Sequence, residues 1–63
     1  MNLYSRVKLL TNKFANEGIN KGDIGYIIEV YDDENYEVEF SDSKSGVTIA
    51  QIVATAKDIK LAE

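Results

Sequence analysis

Tyr36-Glu37-Val38-Glu39-Phe40 alternates apolar and charged residues without a break. A period of two marks a half-buried antiparallel strand, so Tyr36, Val38 and Phe40 are predicted to face a core and Glu37 and Glu39 to face water. Just upstream, Ile24-Gly25-Tyr26-Ile27-Ile28-Glu29-Val30-Tyr31 is rich in β-branched and aromatic residues and reads as a second strand. The polar Asp32-Asp33-Glu34-Asn35 between them suits a tight turn. The fold therefore starts from a hairpin with an acidic tip.

Moving outward, Arg6-Val7-Lys8-Leu9-Leu10 alternates as a first strand, and Thr11 to Gly22 reads as a long ordered loop anchored by Phe14 and Ile19. Gly46 is expected to turn the chain into a strand over Val47–Val53. A helix over residues 49–60 competes there, because Ile49, Ile52, Val53, Ala56 and Ile59 also fit a helical stripe. Six β-branched residues between 47 and 55, and no helical N-cap before Val47, favour the strand. Thr55-Ala56-Lys57-Asp58 matches a capping-box pattern and predicts a helical or 3₁₀ turn before a last strand, Ile59–Leu61. The expected class is mainly β: a small five-stranded SH3-like barrel with a short helical turn before the last strand, in a single domain over residues 1–63. Closing or half-closing the sheet would protect its edges.

A chain of 63 residues and 7.0 kDa has little core to draw on. By surface scaling it exposes roughly 4,000 Å² and buries roughly 60% of its unfolded surface. Hydrophobic residues at 44% are too many for a disordered chain. With no cysteine and no histidine, disulfides, thiol chemistry, thiolate or imidazole metal sites and Ser-His-Asp or Cys-His catalysis are excluded. The N-terminal residues form no apolar segment, and no run approaches the ~18 apolar residues of a membrane span. Together with the missing cysteines, this predicts a cytoplasmic protein without a membrane partner.

The net charge is −4, but its distribution is uneven. Residues 29–42 carry Glu29, Asp32, Asp33, Glu34, Glu37, Glu39 and Asp42 and not one base, while the rest of the chain is mildly basic.

The run Gly22-Asp23-Ile24-Gly25-Tyr26-Ile27-Ile28-Glu29-Val30, followed by Tyr36-Glu37-Val38-Glu39-Phe40, resembles a family of small bacterial proteins known only as a domain of unknown function. The resemblance spans Val7 to Leu61 and is most specific in the central hairpin. It implies an SH3-like barrel, a fold shared with KOW-type modules. Some members of the family sit beside toxin-like or enzyme-like partner genes, which implies neutralising or accessory roles.

Several chemistries can be weighed against these residues. Glu37 and Glu39 share a strand face roughly 7 Å apart. A glycosidase pair also needs a cleft and one carboxyl raised by burial, neither of which the outside of so small a barrel supplies. Counting an EF-hand loop from Asp32 puts Ser43 at the twelfth position, and from Asp33 puts Val38 at the sixth, so neither register works and no metal is expected. Gly18, Gly22 and Gly25 match neither the dinucleotide fingerprint nor the P-loop; close backbone approach and positive φ explain them better. Scattered lysines, a single arginine and a pI near 4.6 disfavour nucleic acid.

The acidic hairpin is what remains. Glutamates fixed outward on neighbouring strands oppose folding unless something basic meets them. The expected protein is not an enzyme and holds no cofactor. It is a protein-binding module of immunity or antitoxin type whose acidic hairpin neutralises a basic toxin or enzyme, with Glu29, Tyr31, Asp32, Asp33, Glu34, Glu37 and Glu39 as the partner-binding residues. The alternatives are an accessory or scaffolding subunit of a larger enzyme and a KOW-like RNA-binding module. Oligomeric state is left open by the sequence.

Overall fold

A computed structural model describes residues 1–62. Five antiparallel strands form one sheet: β1 (Arg6–Leu9), β2 (Ile24–Val30), β3 (Asn35–Ser41), β4 (Thr48–Thr55) and β5 (Ile59–Leu61), in the order β4-β3-β2-β1-β5. The sheet is not closed, because β4 and β5 lie at its two ends. The barrel expected from the sequence is met as a mainly β, five-stranded sheet.

The core lies on one face. Tyr36, Val38 and Phe40 of β3 are buried as the alternation predicts, packed with Ile27 of β2 and with Val7 and Leu9 of β1. The Tyr36 hydroxyl, its one polar atom, donates to the Asp33 carbonyl at 2.8 Å. Gly25 of β2 sits close against β3: a Cβ there would stand 2.9 Å from the Phe40 ring and 2.8 Å from the Glu39 carbonyl oxygen. Only glycine leaves room for that ring. The first loop folds as expected over the sheet: Ile19 is buried and Phe14 packs against the core.

β4 is a strand, which decides against the helical alternative. Ala50, Ile52 and Ala54 point inward at a period of two, while Ile49 and Val53 stay exposed. Gly46, at φ 76°, turns the chain before it, and the strand runs over Thr48–Thr55, starting one residue later and ending two residues later than the expected Val47–Val53.

The capping-box residues give a different result from the one predicted. Residues 56–58 form a plain turn, and the 3₁₀ turn lies instead in the first loop at Ala15–Glu17. Half of the capping box does form, since the Thr55 N–H donates to the Asp58 carboxylate at 2.9 Å. No helical turn is built from it because Ile59 is needed in β5, opposite Leu9.

Asp58 is nevertheless buried, and it accepts a 2.9 Å ion pair from Lys13. This contact ties the first loop to the turn before β5. Burial pushes the Asp58 carboxyl up, but the Thr55 N–H and the Lys13 ammonium outweigh it and hold its pKa below the usual carboxylate value.

Candidate functional site

The solvent-facing side of the sheet carries the charge pattern. Between Ile27 and Glu29 the β2–β3 register shifts by one residue, a β-bulge at Ile28. Without it, strict alternation from the buried Ile27 would turn Glu29 toward the core. With it, Glu29 faces outward directly opposite Glu37, and Tyr26 lies opposite Glu39.

Continuing the pairings across the sheet gives a row of Arg6, Tyr26, Glu39 and Gln51 on β1, β2, β3 and β4. A neighbouring row holds Glu29, Glu37 and Val53. On the far side of β1, Lys8 lies opposite Lys60. The outer face is thus acidic over β2 and β3 and basic over β1 and β5.

Two of the glutamates are steadied by neutral hydroxyls. Tyr31 Oη donates to Glu37 Oε1 at 2.6 Å, and Thr48 Oγ1 donates to Glu39 Oε2 at 2.9 Å. The Tyr31 hydroxyl is held above the ordinary phenolic range, first by that hydrogen bond and further by the charges of Glu37 and Glu29. Both glutamates are half-buried within the sheet, flanked by strands on either side, while Tyr26 and Tyr31 are exposed.

The remaining predicted residues divide by what they touch. Asp32 is the anchor of its own turn: Oδ1 accepts the N–H groups of Glu34 at 2.8 Å and Asn35 at 2.9 Å, and the Asn35 amide reaches both oxygens. Those donors, the Glu34 N–H first, hold its pKa below the usual value. Asp42 does the same in the β3–β4 turn, accepting from Lys44 at 2.8 Å and Ser45 at 2.9 Å, and its pKa is lowered by the Ser45 and Lys44 N–H groups. Both carboxylates serve local turns. Asp33 and Glu34 stand exposed at the hairpin tip, away from the row of glutamates.

The site that the fold assembles is therefore Glu29, Glu37 and Glu39 with Tyr26 and Tyr31 beside them. The basic flank of Lys8 and Lys60 was not singled out by sequence reasoning, although each is the polar member of an alternating strand. Chemically, this surface offers fixed negative charge and aromatic area. Among the described residues, no group of three or more acidic, histidine or cysteine side chains is placed to hold a metal ion, and no helix is long and apolar enough to cross a membrane.

A protein-family model described as a domain of unknown function (DUF4926) matches residues 3–61, and the chain belongs to that family. No curated protein and no solved structure shows a significant match.

Proposed function

We propose that this member of the family is a non-enzymatic protein-binding module that presents the outer face of β2 and β3 to a basic protein partner. The observation that carries the reading is the pairing of Glu29 with Glu37 on adjacent strands, with Glu39 next on the same face. Like charges directly opposite each other in a sheet are destabilising. A chain this small, stapled by no disulfide, has little stability to lose. A basic partner converts that repulsion into attraction, and the rigid sheet holds the carboxylates ready for it. Tyr26 and Tyr31 supply rigid contact area at the rim of the charge.

In its most concrete form the protein is an immunity or antitoxin type inhibitor in the cytoplasm, its carboxylates occupying the place of phosphates in a cationic cleft. A standard interface of ~800 Å² per partner would cover about a fifth of the 4170 Å² surface. The strand order supports an SH3-like barrel as the fold, since β5-β1-β2-β3-β4 is a meander with its last strand returned beside the first.

The test is capture from the source cell with the wild-type chain and with the Glu37→Lys/Glu39→Lys variant, at low and high salt. Loss of the partner in the variant, and weakening with salt in the wild type, are expected. Undiminished capture by a folded variant would reject the acidic face as the binding surface and leave the apolar contacts of an accessory subunit. A KOW-like RNA-binding reading has one observation in its favour, the Lys8–Lys60 pair with Arg6 and Tyr26 close by on the same face. Its mark would be RNA affinity lost in Lys8→Glu/Lys60→Glu rather than in the glutamate variant.

A further inference from the structure

The sheet ends in two edges of different make. β5 has three residues with Lys60 at its centre, and a short, charged edge discourages the addition of another strand. β4 has eight residues, and from Ser45 to Ala56 the chain holds no charge and no proline. The apolar residues of this stretch that lie outside the core are exposed: Val47, just before β4, is 64% exposed, and Ile49 and Val53 on it are 47% and 54% exposed.

The backbone phase of this edge follows from a single bond. The Ala56 N–H donates to the Glu34 carbonyl, so in the β3–β4 register Tyr36–Ala54, Val38–Ile52 and Phe40–Ala50 are the hydrogen-bonded pairs. Gln51 and Val53 then turn both N–H and C=O away from β3. Thr55 shares that phase, and its N–H is already given to Asp58. The open section of the edge is therefore centred on Gln51, Ile52 and Val53.

We infer that β4 pairs antiparallel with β4 of a second copy of this chain, joining two sheets into one across a two-fold axis at Ile52. The phase is self-complementary. With Ile52 on the axis, Gln51 of each copy faces Val53 of the other, and both residues have a donor and an acceptor to exchange.

The edge itself offers a foreign basic strand no countercharge, and the repulsion between two copies is distant from the seam. Each chain carries −4, and the uncharged strip from Ser45 to Ala56 can meet its own image without setting like charges together. The two β3 strands would then lie three strand spacings apart, about 14 Å, which exceeds the Debye length of about 8 Å at physiological ionic strength. Residual repulsion between the two rows of glutamates makes the dimer tighter as salt rises. That is opposite in sign to the salt response of a charge-led complex with a basic partner, so the two ideas fail separately. A seam of one strand per copy is smaller than a standard interface, which sets the expected dissociation constant on the order of 10–100 μM.

Sedimentation equilibrium of the full chain, from about 5 μM to about 1 mM and in about 0.05 and 0.5 M salt, reads this directly. The average mass should climb from 7.0 kDa toward twice that value, further at the higher salt. Over the same range the Gln51 and Val53 amides should become protected from exchange. Gln51→Pro removes an N–H that faces away from β3, so the internal ladder is kept, and the dimer should weaken at least about tenfold. Val53→Glu, which adds a carboxylate beside the axis of two already negative chains, should do the same and decides the matter if the proline variant does not fold. A monomer throughout, with both amides exchanging freely, would overturn the inference and leave the edge to a foreign strand. A dimer that keeps wild-type strength in folded Val53→Glu, or in folded Gln51→Pro, would overturn it as well.

Discussion

The two faces of the β2–β3 hairpin obey opposite rules. On the inner face, Ile27, Tyr36, Val38 and Phe40 are all buried, and even the absence of a side chain at Gly25 is used to seat the Phe40 ring. On the outer face of the same strands, Glu29 is set against Glu37, and Tyr26 and Tyr31 are left in water. Strands that must pack well on one side are free on the other to carry residues that oppose folding. Where a small domain keeps such residues in rigid positions, binding is the physical reason to seek.

The contrast is broken most severely from the inside. Phe40→Ala should lose about 3–5 kcal/mol, and Gly25→Val about as much, since its Cβ meets backbone as well as ring. With total stability near 0.05–0.15 kcal/mol per residue, either variant should be largely unfolded in a urea titration at 25 °C. Asp58→Ala strips the acceptor from the Thr55 N–H and the partner from Lys13, and should cost about 1–3 kcal/mol by the same measurement.

The pH dependence has a definite sign. Asp58, Asp32 and Asp42 all have folded-state pKa values below their ordinary ones. Their stabilisation is fully present above the unfolded carboxylate value of about 4 and is lost as pH falls through the lower folded values. Acid unfolding should therefore run below about pH 4, with a shallower acid limb in Asp58→Ala. Asp32→Ala should lower stability by less than Asp58→Ala does, by undoing the hairpin turn, as the same titration would read.

The smallest effect has the opposite sign and sharpens the comparison most. Glu29→Gln should raise stability by about 0.2–1 kcal/mol, because it relieves the apposition with Glu37. The wild type should gain more from added salt than this variant does. Destabilisation by Glu29→Gln would mean that the outer glutamates support the fold, and the case for a basic partner would lose its footing.

Much of the frame was legible. The inward set of β3, the hairpin, the anchoring of the first loop by Phe14 and Ile19 and the last strand at Ile59–Leu61 all follow from alternation and turn chemistry. The site was legible only as a block of acids. Seven carboxylates in one stretch read alike in one dimension, yet Asp32 and Asp42 close turns while Glu29, Glu37 and Glu39 share a face. The capping-box reading of Thr55–Asp58 found a real hydrogen bond but the wrong element, because the register of β5 against β1 overrode the local tendency to helix.

Alternation, turn residues and composition act over a few neighbours, and so the amino-acid order alone determined which segments are strands, which side chains of β3 turn inward and which chemistries the chain lacks. Three features were decided only when strands met. They are the bulge at Ile28 that brings Glu29 out beside Glu37, the Lys13–Asp58 pair between loops far apart in the chain, and the uncovered flank of β4. Each depends on a partner distant in sequence, and a pairing register is a property of two segments that neither one contains by itself.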